Sequence, residues 1–152
     1  MKTTRIQTLF ALVLVVGFMA LTLGAASASA SPARRGNLHV VKECTEYTGE
    51  AGSFCTVISS NLPEIAVGSK VFYFQPLIGS TGLLDSDIVL DAGNANRAIG
   101  HCTLDLVTNI GLCTFSDGTG AFAGFHAHIN GSGSDANYHW DGTYHFSRQD
   151  KK

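Results

Sequence analysis

The sequence predicts an all-β protein, an eight-stranded antiparallel barrel, on three observations. Beyond residue 37 no segment holds the apolar period of an amphipathic helix, and runs rich in Val, Ile, Phe, Tyr and Thr alternate with a period of two instead. Gly, Asn and Asp break these runs about every 10–12 residues, as hairpin turns do. Eight such runs share a short chain, and closure removes the exposed edges that a small open sheet has to protect. The rival is a sandwich built from the same strands.

The barrel does not begin at Met1. Lys2 and Arg5 precede an apolar run, Leu9 to Leu23, that ends in AASASA, the layout of a secretory signal over residues 1–30. Cleavage is expected after Ala30, with Ala28 as the alternative. An uncleaved anchor is disfavoured, because the run falls short of the ~20 apolar residues a bilayer needs. Residues 31–37 are short, polar and twice basic, and are expected to be a mobile tail. Residues 38–148 then form the barrel domain, in a mature chain of about 122 residues, enough for one core and not two.

The strands expected in order are Leu38–Tyr47, Ser53–Ser60, Lys70–Ile78, Ser86–Leu90, Arg97–Leu106, Gly111–Asp117, Ala121–Asn130 and Tyr138–Ser147. Pro76 cannot donate to a ladder and marks a strand end or a bulge at the rim. Leu62-Pro63-Glu64 reads as a loop. In the last hairpin Ala123, Phe125, Ala127 and Ile129 share one face, and so do Tyr138, Trp140, Tyr144 and Phe146. A turn at Gly131–Ala136 would pair His128 with His139 and His126 with Asp141, which leaves one apolar face and one polar face.

Four cysteines in an exported chain imply two disulfides, and three pairings are possible by count. Spacing narrows the choice. Cys44 and Cys55 are eleven positions apart, as are Cys102 and Cys113, and each interval holds a turn signal. Each pair is therefore expected to face across its own hairpin, and to stabilise by roughly 2–3 kcal/mol in the chain-entropy account. A redox pair or thiolate metal site would need a closer spacing such as CxxC.

CTFSDGTGAFAGF, followed by WDGTY and preceded by GSKVFYFQP and DSDIVLDAGNANRAIGHCTLDL, resembles the allene oxide cyclase and dirigent-like barrel superfamily, especially small exported bacterial members. The similarity spans roughly Leu38 to Phe146 and is sharpest at Asp117–Gly124, which is similar to the GGTG-x-F-x-x-A-x-G hairpin of dirigent proteins. It implies an eight-stranded barrel with an apolar cavity, and a homo-oligomer, since plant members are often trimeric. It does not fix an activity, because one fold hosts many functions. Allene oxide cyclases steer a cyclisation with a cavity carboxylate and a bound water, whereas dirigent proteins bias radical coupling without oxidising anything. Neither set of functional residues maps position by position onto this chain.

The mature chain carries a formal charge of −4, since Lys2 and Arg5 leave with the signal. With no basic stripe, nucleic acid and anionic membrane are not expected partners. No cofactor is expected either. Gly118–Ala123 matches a dinucleotide fingerprint only formally, because another alternating strand follows it and not a helix. Ser132 lies outside any GxSxG elbow. Asn130-Gly131-Ser132 is a glycosylation sequon that matters only in a eukaryotic host.

The site residues expected to bind a ligand are therefore Phe115, Phe125, Tyr138, Trp140, Tyr144 and Phe146, which would line a lumen suited to a small hydrophobic molecule, unless side chains simply fill it. The acid–base candidates are His101 and Asp105 on one strand, with Asp85 and Asp87 nearby. If the protein is an enzyme, it is an isomerase or cyclase. A metal is not expected, although His126, His128 and His139, with Asp141, compose a zinc or copper ligand set if they converge. The third alternative is an interaction module with a packed lumen.

Overall fold

A computed structural model describes residues 34–147. The expected signal and the start of the tail lie outside the described residues. Eight strands run in chain order: β1 (Arg35–Glu43), β2 (Phe54–Ser60), β3 (Lys70–Tyr73), β4 (Leu83–Asp91), β5 (Arg97–Asp105), β6 (Ile110–Thr119), β7 (Phe125–Ser134) and β8 (Asn137–Phe146). Each pairs antiparallel with the next, and β8 pairs with β1, so the sheet closes into an eight-stranded barrel. Two-residue alternation survives as burial: along β4, Leu84, Ser86, Ile88 and Leu90 are buried, while Leu83, Asp85 and Asp87 are exposed.

Several strand ends differ from expectation. Arg35–Asn37, read as tail, pair with Thr143–His145 and lengthen β1. β1 stops at Glu43, because Cys44 turns away to donate its backbone N–H to the Ala136 carbonyl at 2.8 Å. β3 stops at Tyr73, before Pro76. β4 starts earlier and β6 runs later than the alternation suggested. Gly120–Phe122, of which Ala121 and Phe122 were expected to open a strand, forms one 3-10 turn that delivers Phe122 into the core.

The β7–β8 register corrects the expected hairpin. His128 lies opposite Thr143, His126 opposite His145, and Asp141 opposite Asn130. The ladder continues through Gly131–Ser134, and the chain reverses at Asp135, whose φ is 55°. Size complementarity explains the choice: Gly131 and Gly133 face Trp140 and Tyr138, so the rings occupy space that a larger residue would fill. The slip from the expected pairing is four residues, an even number, so each side chain keeps its face.

Both disulfides form as the spacing indicated, Cys44–Cys55 and Cys102–Cys113, with Cα separations of 4.2 and 4.1 Å. The barrel ends are unlike. Leu62 and Ile65 from the β2–β3 loop, together with Phe122, are buried and plug one end. The other end, where β1 runs out and β8 begins, is open.

Candidate functional site

Lys42 organises the open end. On β1 it follows Leu38 and Val40 on the inward face, and only 2% of it is exposed. Its Nζ donates a hydrogen bond to the Tyr73 hydroxyl. The same atom lies 4.5 Å from the centre of the Trp140 ring, 5.1 Å from that of Tyr73 and 5.6 Å from that of Tyr138. Among the described residues no carboxylate forms an ion pair with it. Ring quadrupoles return part of the lost hydration of an ammonium, typically about 2 kcal/mol when desolvated, which is less than burial removes. Burial accordingly pushes the Lys42 amine down to about 7. Burial also raises the Tyr73 phenol, with further contributions from Tyr47 and Tyr138. The pair is thus held near its uncharged form, an amine beside a phenol.

Above this pair lies a cavity of about 190 Å³, lined by Lys42, Tyr47, Tyr73, Leu84, Leu104 and Tyr138, with the Cys44–Cys55 disulfide in its wall. The Tyr47 hydroxyl is buried and has no hydrogen-bond partner among the described residues, a state that costs about 1–3 kcal/mol unless something fills its place. Tyr138 is fixed by donating to Asn109 Oδ1 at 2.9 Å. Below Lys42 the remaining void is about 10 Å³, at the lower limit for one water. Ile88, Phe115, Phe125, Ala127 and Ile129 are buried in the interior.

The expected ligand residues divide along this line. Tyr138 lines the mouth cavity, and Trp140 lies beneath it, against Lys42 and not on the cavity wall. Phe115 and Phe125 are buried in the packed interior, their rings 5.7 Å apart. Tyr144 and Phe146 pack against Phe125 toward the plugged end. The sequence reading missed Lys42, Tyr47 and Tyr73. The signal was present in Leu38-His39-Val40-Val41-Lys42, whose alternation puts the lysine inside.

His101 and Asp105 point outward. His101 is held between two carboxylates, its Nε2 2.7 Å from Asp85 Oδ1 and its Nδ1 3.0 Å from Asp87 Oδ1. The hydrogen bond with Asp87 raises its pKa most, burial opposes it, and the Asp85 bond with the charges of both carboxylates adds to the rise. Asp105 accepts from the backbone N–H groups of Val107 and Thr108, which lowers its pKa and fixes the β5–β6 turn. His126 stacks on His145 with ring centres 4.7 Å apart, His139 sits opposite Ser132, and the alternative metal set of His126, His128 and His139 does not converge. Asp141 instead meets His39 at 2.5 Å.

Outside the barrel, Phe54, Phe72, Val89 and Ile99 stand side by side across four strands. Val89 and Ile99, with Phe74, border two open depressions of about 340 and 810 Å³, and Phe72 lines the larger. Among the described residues no helix is long and apolar enough to cross a membrane. Comparison with known proteins adds no relative to this picture: no family model matches the chain, and no curated protein or solved structure matches it significantly.

Proposed function

We propose that this is a secreted, disulfide-stapled β-barrel that binds a small, largely apolar molecule at its open mouth, with Lys42 and Tyr73 addressing the polar group of that molecule. The observation that carries the reading is a lysine amine buried without a counter-charge beneath an open cavity. A solely structural interior would be more stable with an apolar residue there. The cavity is smaller than the ~300–1,000 Å³ of drug-sized sites, so the ligand is a small one. The cyclase-like extension belongs to the same place, because Lys42 and Tyr73 can move a proton at the cavity floor, whereas His101 and Asp105 face away from it. Two disulfides fit an oxidising compartment, and secretion follows from the signal-like leader.

Trp140 is the chain's single tryptophan and reports directly on this floor. Hexanol is a suitable neutral probe. Six buried carbons at about 0.8 kcal/mol each correspond to a near-millimolar Kd. Saturable change of Trp140 emission, abolished by Leu104→Phe, is the expected result. An unsaturable response up to the solubility limit would overturn the reading.

A second reading, a module that pairs with another copy of itself, rests on the outer apolar ladder. Ile99 is 50% exposed and Phe74 52%, more apolar surface than a lone monomer needs to show. Sedimentation across a concentration series should find a homo-oligomer that Ile99→Lys dissociates, and a concentration-independent monomer would reject this second reading.

A further inference from the structure

We propose that Lys42 is a nucleophile that captures small aldehydes and ketones as an imine at the barrel mouth. This deepens the binding reading above, on which it rests, by naming the ligand's reactive group as a carbonyl. Three features of the site carry it. The amine has one hydrogen-bond partner, the Tyr73 hydroxyl, and no ion pair among the described residues. It lies on the wall of a cavity with room for a short alkyl chain. The unpartnered Tyr47 hydroxyl lines the same cavity and offers a hydrogen bond to a ligand oxygen.

The chemistry balances without any further reagent. The neutral Lys42 amine adds its lone pair to the carbonyl carbon, the carbonyl oxygen takes the Tyr73 hydroxyl proton, and the nitrogen passes one of its two protons back to the phenolate, giving a neutral carbinolamine. The nitrogen's remaining proton goes to the departing hydroxyl, the C–O bond breaks, and one water leaves as the C=N bond forms. Tyr73 is returned to its starting state. The product imine is uncharged, so the burial that works against an ammonium at this position works in favour of the adduct.

Lys70 is exposed on the outer face, away from the mouth cavity. Lys70 therefore serves as the internal reference. The test incubates the full chain at neutral pH with limiting hexanal and cyanoborohydride, then maps the N-hexyl adduct by peptide mass. Lys42 should be labelled at least about tenfold faster than Lys70, allowing for restricted access. Tyr73→Phe, which keeps the ring, should slow Lys42 labelling by about tenfold or more through loss of the proton donor. Lys42→Met should abolish the mouth adduct while Lys70 labelling stays at the parent's rate. Equal labelling of Lys70 and Lys42 would overturn the inference. Saturable hexanol binding together with an unlabelled Lys42 would sink the imine and leave the binding reading standing. A labelled Lys42 with no hexanol binding would do the reverse.

Discussion

Gly133 lies directly across the β7–β8 ladder from Tyr138, and a Cβ on Gly133 would come within 2.4 Å of the Tyr138 ring. The ring can occupy the wall of the mouth only because residue 133 has no side chain. From there its hydroxyl reaches Asn109, and its face lies beside Lys42.

Gly133→Ala should therefore displace Tyr138 and break its bond to Asn109. Overpacking of this kind costs about 1–3 kcal/mol, measurable by urea unfolding. Hexanol binding should change as well, because a wall of the cavity moves. Unchanged stability and unchanged Trp140 titration would show that the ring is not held as described.

Replacing Lys42 with Met separates the cost of the buried charge from its function. In the folded chain the amine is pushed down to about 7 from an ordinary 10.5. Below pH about 7 it is charged in folded and unfolded chains alike, and the whole penalty of burial is present. Between 7 and 10.5 the unfolded chain binds the extra proton, so stability rises with pH across that window. The shift corresponds to on the order of 5 kcal/mol, and an orphaned Tyr73 hydroxyl takes back about 1–3 of it. Lys42→Met should thus stabilise by about 2–4 kcal/mol near pH 6 and lose that advantage near pH 10. A pH-independent difference would contradict a depressed amine.

Alternation carries face but not register, which is why some of this molecule was legible in its sequence and some was not. The barrel class follows from period-two runs and short turns, and the disulfides follow from their shared spacing. The hairpin register was misjudged because Gly131–Ser134 has the composition of a loop, and only the bulk of Trp140 and Tyr138 makes it a strand. His101 shares its parity with Ile99 and Thr103, both exposed, and not with the buried Ala98 and Cys102, so its outward direction was readable. Lys42 was overlooked for the opposite reason. Charged residues are almost never fully buried, so an inward lysine sets composition against periodicity, and at this position periodicity prevails.

The outer clamp on His101 has its own titration. Its pKa is raised by the Asp87 hydrogen bond first and the Asp85 bond after it, while Asp87 is lowered by its bonds from His101 and Gln75. The histidine contribution is complete below the ordinary pKa of about 6.5 and disappears as pH rises through the raised value. The Asp87 contribution is present above the ordinary carboxylate range and disappears as pH falls through the lowered value. NMR titration of the His101 ring should give a midpoint above 6.5. Asp87→Asn should lower it more than Asp85→Asn does, and the reverse order would reassign the stronger partner.

The two disulfides enclose loops of equal length, since both pairs are eleven residues apart, so chain entropy gives them the same worth, roughly 2–3 kcal/mol. Packing makes them differ. Cys102 and Cys113 are both buried in the interior, whereas Cys44 is only half-buried at the mouth. Replacing Cys102 and Cys113 together by Ala also enlarges the void beneath Lys42, which adds a cavity cost of about 1 kcal/mol. Removing Cys44 and Cys55 instead frees the loop that carries Tyr47, and with it a wall of the cavity. The interior pair should therefore cost more stability and leave hexanol binding close to the parent's. The mouth pair should cost less stability and weaken binding several-fold. Parallel urea and Trp140 titrations of the two double variants test this, and equal loss of binding in both would detach the ligand site from the Cys44–Cys55 rim.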